Sequence, residues 1–446
     1  MRFFLTVLFS VSAVFSVLPL HAVSGETFYD ALASAYTSNP VLRAARAELR
    51  RTDEGVPEAL AGWRPEADVI VGSGYVYTRQ DGGENSTLSQ SNGVAAVLRL
   101  RVRQPLYNFS TGSLVDQAEN AVKAQRAHLR SVEQNTLLEA ARAYLELIRA
   151  QAMQTYSQEF RSSMDAALSS TERQLAKGLV GSSAVAEARS QQQIAASEVI
   201  NAEASVAVAK EHYREVIGSL PDHLTMPDVP LEIPETQREI IDLAENYPPL
   251  LAALYSERAA REAIDAAEGR KLPSFYLEGQ ADARNAAVLG LMSVPLYNGL
   301  SNPRIRAAKQ DAIKARYDVE AQRREAQVAA VRAWQDFQRA QAQITTSLAR
   351  LDTAVASADA VRREQNLGLK TPSDLFRNDL NVLKAKTDLI GAQRDVRIAA
   401  LEALAVTGHL TAKHLQLPVP YYDENKYYDS VRDSWFGDGE DIDKVE

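Results

Sequence analysis

The chain of 446 residues contains no cysteine, which excludes a disulfide framework, a thiolate metal site and a lipid anchor carried on a cysteine. A formal charge of -9 and the lack of any basic run of five or more residues count against nucleic acid as a partner. Hydrophobic residues make up 46% of the sequence, enough for a core, and much of that is alanine, which suits closely packed helices.

Residues 1–24 start with Arg2, run through the apolar stretch Phe3 to Leu20 and end on the small residues Ala22 and Ser24, the pattern of a secretory signal peptide. No later stretch has the length of a spanning helix. A membrane crossing by the mature chain must therefore use strands closed into a barrel. Val41 to Gly62 reads as a helix disturbed at Gly55 to Pro57. In the strand-like stretch that follows, Ala67, Val69, Val71, Tyr75 and Tyr77 form an apolar face, with Glu66, Asp68, Gly72, Gly74 and Thr78 opposite. The return strand sets Val94, Ala96, Leu98, Leu100, Val102 and Leu106 against Arg99, Arg101 and Arg103, after a polar tip over Arg79 to Asn92. Period two alone fits a half-buried soluble sheet equally well.

From Gly112 to about Lys177 there is no proline and no further glycine until the end, which predicts one helix of about 65 residues, roughly 100 Å long. Leu138, Ala141, Leu145, Ile148 and Ala152 follow the three-and-four spacing of a coiled-coil seam. Gly178 to Ser183 breaks the helix, and a second one returns over Ser183 to Ile217 as an antiparallel hairpin. That arm covers about half of its partner, so helix 41–62 is expected to cover the other half, end to end with it. The proline-rich stretch Leu220 to Pro249 reads as a linker.

The pattern then recurs. Pro105-Leu106-Tyr107-Asn108 returns as Pro295-Leu296-Tyr297-Asn298, and the same offset of 190 residues pairs Arg142-Ala143 with Arg332-Ala333, Gly178-Leu179 with Gly368-Leu369 and Gly218 with Gly408. The second repeat comprises a helix over Leu250 to Arg270, a hairpin of Ser274 to Arg284 and Ala287 to Leu296, a long helix over Pro303 to Asn366, and a helix over Asp374 to Thr407. Its first strand sets Phe275, Leu277 and Ala281 against Tyr276, Glu278, Gln280 and Asp282. Five segments result: signal peptide 1–24, first repeat 25–218 with its hairpin at about 65–107, linker 219–249, second repeat 250–417 with its hairpin at about 273–297, and an acidic, Tyr-rich tail 418–446. The tail carries nine acidic and three basic residues, and its expected state is either disorder or packing against the helical wall.

Strands of about 10 to 14 residues can cross an outer membrane at a tilt, but four cannot close a barrel, which starts at eight strands. Copies of the chain must therefore assemble. Trp63, Tyr107, Phe109, Phe275 and Tyr297 cluster at the strand ends, as an interfacial aromatic girdle requires. There is no Walker loop, HExxH or Gly-x-Ser-x-Gly motif, and His409 and His414 flank a turn as solvated side chains, so neither an enzyme nor a cofactor or metal site is expected.

In this order of elements the chain resembles the TolC family of outer-membrane efflux and type I secretion channels, from about Gly25 to Leu417. The resemblance implies a mostly α fold with a small β part. Long antiparallel helical hairpins form an α-barrel tunnel, and four strands per chain contribute to a trimeric twelve-stranded outer-membrane β-barrel. It further implies a passive conduit across periplasm and outer membrane, partnered by a periplasmic adaptor and an inner-membrane pump of the ABC or RND type. Protein, drug and metal ion all remain open as cargo. The family closes its tunnel at the periplasmic tips, with a basic residue two places after the tip glycine and acidic residues six and nine places after it. Lys370 and Asp374 match, whereas Arg377 replaces the second acid and Ala184 stands where an acidic link partner would lie beside Ser183. The expected gate is thus Lys370, Asp374, Arg377 and Ser183, and the alternative is a solvated helix start with Asp374 favoured by the helix dipole. Arg99, Arg101 and Arg103 are expected to face the barrel lumen, since an Arg on the lipid side costs about 2–4 kcal/mol at mid-depth. With Glu66, Asp68, Glu278 and Asp282 offsetting them in part, they predict a cation-rich band. The rival reading is a periplasmic coiled-coil adaptor or structural protein without a barrel.

Overall fold

The computed structural model describes residues 27–80, 89–221, 224–227, 233–282, 285–367 and 369–437. The expected signal peptide, residues 81–88 of the hairpin tip, Gly368 and the last nine residues of the tail lie outside them.

Helix α1 (Phe28–Ser38) starts at a capping box in which the Thr27 hydroxyl accepts from the Asp30 backbone N–H and Asp30 accepts in return. Helix α2 (Pro40–Asp53) follows at once, with Asn39 as its cap and Pro40 in the first turn, where a missing N–H costs nothing. The expected disturbance near Gly55 is a break between α2 and the short α3 (Gly55–Leu60), which leads through a 3-10 turn at Ala61–Trp63 into the sheet. The long helix expected from residue 112 is α4 (Phe109–Ala176), capped by Asn108, and its 68 residues make a rod of about 100 Å. It is paired with α5 (Ser182–Ile217). Among its described residues the linker holds the short helix α6 (Gln237–Leu243) and a 3-10 turn at Ala244–Asn246, and the second repeat supplies α7 (Pro248–Gly269), α8 (Ser301–Asn366) and α9 (Pro372–Val406). Gly178, Gly218 and Gly408 turn the chain at helix ends with φ of +70°, +91° and +79°, where a side chain would be strained.

As the lengths of the arms require, α5 covers one part of α4 while α1, α2 and α3 cover the other. Helix α7 does more than was expected of it, because it packs along both α8 and α4 and so joins the two repeats into one wall. The close approach explains Gly269: a Cβ there would lie 2.8 Å from the Phe109 carbonyl carbon. The thickest core lies at mid-height, where Leu32, Tyr144, Leu145, Leu147, Tyr213 and Ile217 are fully buried. There α4 and α9 are tied by Arg394 to Glu146 and by Arg142 to Glu402, each at 2.6 Å. Burial alone would raise the Glu146 carboxyl, but Arg149 and Arg394 overcome it and hold the group below its ordinary range.

The four strands form one antiparallel sheet in chain order: β1 (Glu66–Gln80), β2 (Ser89–Tyr107), β3 (Ser274–Asp282) and β4 (Ala286–Ser293). Pro105, which cannot donate to the ladder, lies beside a register shift between Pro105 and Tyr107. The tail is ordered at least to Gly437 and packs on the wall, with helix α10 (Lys426–Val431) against α2.

Candidate functional site: the lumenal ladder and the helical tips

Register divides the sheet into two faces. Ala67, Val69 and Val71 pair with Val102, Leu100 and Leu98, and Leu100 pairs onward with Ala281. Among the described residues no helix covers this apolar side: Val71 and Val288 are each 77% exposed. The opposite side carries every charged residue expected there. Arg103 stands between Glu66 and Glu278, Arg101 between Asp68 and Gln280, and Arg99 between Ile70 and Asp282.

Arg101 grips Asp68 with two N–H groups, at 2.7 and 3.1 Å. The Arg103 guanidinium lies over the Tyr276 ring, 4.1 Å from its centre, an attraction between cation and ring face. Gln280 donates to Glu278 at 2.6 Å. Three arginines therefore share one face with four carboxylates, each of which lies directly across the strands from an arginine. The expected cation-rich band is corrected by this register to a ladder of alternating sign with one surplus negative charge per chain. Leu289 lies opposite Glu278 and Leu291 opposite Tyr276 on the same face, so the second hairpin lines it partly with apolar side chains.

At the first tip, Gly178 is left-handed and the Leu179 N–H reaches back to the Gln174 carbonyl at 2.9 Å, closing the end of α4. Ser183 is exposed in the first turn of α5. At the second tip, Asp374 is the returning partner of a capping box with Thr371, whose N–H and hydroxyl donate to it at 3.0 and 2.8 Å. Those hydrogen bonds hold its carboxyl below the usual range. Lys370 and Arg377 are exposed. Among the described residues, no hydrogen bond or ion pair joins Ser183, Lys370, Asp374 or Arg377 to the other tip.

The hairpins are instead joined farther up the bundle, by residues that sequence reasoning missed. Asp379 of α9 is 4% exposed; it accepts from the Ser163 hydroxyl of α4 and from Arg362 of α8 at 2.7 Å. Beside it Lys386 meets Glu159 at 2.5 Å, and Phe160 packs on Phe376. A readable signal existed: Asp379 follows Leu375 by one turn, so a charge occupies the buried stripe of α9. His409 and His414 are partners in a ring contact, with centres 5.0 Å apart, and burial holds His409 below its ordinary value. Among the described residues there is no group of three metal-ligating side chains.

A family model described as outer membrane efflux protein matches residues 31–219 and 240–409, once over each repeat. The outer membrane efflux protein BepC of Brucella suis biovar 1 is 29% identical, over 95% of this chain and 94% of its own length. The outer membrane protein TolC of Escherichia coli is 24% identical, over 85% of this chain and 82% of its own. Among solved structures, the CmeC outer membrane channel of Campylobacter jejuni superposes with a TM-score of 0.75 at 13% identity, covering 92% of this chain and 90% of that one. At that identity the likeness speaks for the fold.

Proposed function

The chain belongs to the outer membrane efflux protein family, and from that premise we propose a homotrimer in which three sheets close a twelve-stranded barrel above a shared helical tunnel. It is an outer-membrane efflux channel of a tripartite system, set in the outer membrane with its tunnel in the periplasm. The observation that carries the reading is the sheet with one bare apolar face and one charged face, continuous with rods of about 100 Å. A soluble adaptor has no use for an uncovered face of that kind.

Assembly with further copies is supported by two open sheet edges, β1 and β4, which a barrel must eliminate. It also accounts for Leu296 and Tyr297, 94% and 92% exposed, whereas the first-repeat counterpart Tyr107 packs on Phe109 beside α7. A neighbouring copy supplies the missing cover. At the periplasmic end Ser183, Lys370, Asp374 and Arg377 ring the opening, and the Asp379 junction above them keeps the hairpins together. An adaptor and an inner-membrane pump of the ABC or RND type engage this end and supply the cargo. Arg99, Arg101, Arg103, Glu66, Asp68, Glu278 and Asp282 line the barrel. Planar-bilayer recording of the purified protein tests the whole: discrete trimer-sized conductances are expected, and recovery as a soluble monomer without detergent would sink the reading. Alanine at Arg99, Arg101 and Arg103 together should shift selectivity toward cations, and an unchanged reversal potential counts against their lumenal role.

A further inference from the structure

The tail climbs the wall toward the membrane, and two independent rulers record it. Along α4, residues leading into and along the tail meet positions ever closer to its N-terminus at the sheet: Ala412, just before the tail, donates to Glu133, Glu424 pairs with Arg130, Tyr428 lies under Arg126, and Arg432 meets Glu119 at 3.6 Å. Fourteen residues of helix correspond to a climb of about 20 Å. Along the first repeat, Tyr422 accompanies Tyr36, Tyr427 donates to Glu54 at 2.6 Å, and the described chain ends against Arg64. Arg64 donates to the Ser434 and Arg432 carbonyls at 2.6 and 3.3 Å, and its guanidinium lies 5.4 Å from the Trp435 ring centre.

Arg64 is the residue after Trp63, a girdle aromatic whose carbonyl accepts from Gln104 of β2 at 3.0 Å. The described part of the tail thus reaches the level where the proposed barrel meets the inner leaflet, and there it exposes two aromatics side by side. Trp435 is 59% and Phe436 90% exposed. Aromatic residues at that depth gain from burying their rings among headgroups and upper acyl chains. The segment beyond Gly437 carries five acidic residues and one basic residue, so attraction to anionic headgroups does not drive the contact.

We propose that Trp435 and Phe436 form an interfacial anchor that inserts into the inner leaflet of the outer membrane, extending the aromatic girdle and pinning the tail along the wall. The occupant is phospholipid, because Arg64, which holds the patch, directly follows the girdle residue Trp63, and the chain leaves Phe436 90% exposed among the described residues.

With no native cysteine, Phe436→Cys in the full-length protein accepts a single environment-sensitive fluorophore. In phosphatidylethanolamine–phosphatidylglycerol vesicles its emission is expected to shift to the blue and to be quenched by lipids carrying a nitroxide near the headgroup, more than by lipids labelled deep in the acyl chain. Salt should leave both unchanged. Labelled Leu98→Cys on the apolar barrel face serves as the reference. If that site is quenched and residue 436 is not, the anchor is overturned while the channel reading stands. If neither is quenched, both fall. A blue shift without lipid quenching means that a neighbouring copy or the tail itself covers the site, and this also overturns the anchor.

Discussion

Asp379 and Asp53 show what burial does to a carboxylate with and without partners. Asp379 has Arg362 and Ser163, and removing the acid strips both of that partner, although Arg362 keeps Asp359 at 3.2 Å. Asp379→Ala should cost about 2 kcal/mol in stability by thermal unfolding, less than for a fully buried pair because Arg362 is half exposed and retains a carboxylate. If the junction restrains the tips, the same variant raises single-channel conductance, and unchanged conductance assigns it to packing alone. Asp53 of α2 is fully buried, and neither of its oxygens has a hydrogen-bond partner. Desolvation raises its pKa to about 6, with Arg126 opposing the shift. The native state then binds more protons than the unfolded chain between the ordinary Asp value and about 6, so stability falls as pH rises through that window. Asp53→Asn should remove this slope and gain roughly 1 kcal/mol at pH 7, less than the whole shift because the attraction to Arg126 is lost with the charge. Melting curves from pH 4.5 to 7.5 decide it.

The elements were legible in unequal measure. Long helices declare themselves through what they lack: α4 has a single glycine in its first turn and no proline, so its extent could be read almost to the residue. Alternation in β2 fixed which side its arginines take. Helix α1 went unread although Thr27 and Asp30 spell a capping box, because it sits against the leader-like segment that absorbed the reading. The bridging place of α7 could not be read at all, since one amphipathic stripe does not say how many neighbours it serves. Asp379 escaped for a related reason: its partners come from two other helices, and Ser163 lies 216 residues away in sequence. Two variants test elements directly. Thr371→Ala removes the cap of α9 and should cost about 1 kcal/mol with little effect on assembly. Gly269→Val drives a side chain into the Phe109 backbone and should cost more, about 2–3 kcal/mol, by forcing α7 from α4. Near-equal losses would show that the approach relaxes freely.

At the scale of the molecule, one chain is a third of the wall of the proposed trimer. Its polar and apolar surfaces are sorted for surroundings that a single copy does not provide: Leu296 and Tyr297 stand bare, and β1 and β4 end the sheet without partners. Burying one such side chain is worth about 2 kcal/mol, so Leu296→Asp with Tyr297→Asp should weaken trimer association by at least about tenfold. Native mass measurement in detergent reads this as a rise in monomer.

The sheet's uneven height has a consequence for the world outside the cell. Pairing of β1 with β2 continues to Gln80 and Ser89, whereas the ladder of β2 with β3 stops at Arg99 and Asp282, and that of β3 with β4 at Ala281 and Ala286. The stave common to all four strands is about eight residues tall, roughly 25 Å, the height of the apolar band of a bacterial barrel. Above it each copy raises a two-stranded ribbon of about 30 Å. In the proposed trimer three such prongs make a crown rather than a flush rim, and an antibody or a phage arriving at the cell would touch the crown before it touched the pore.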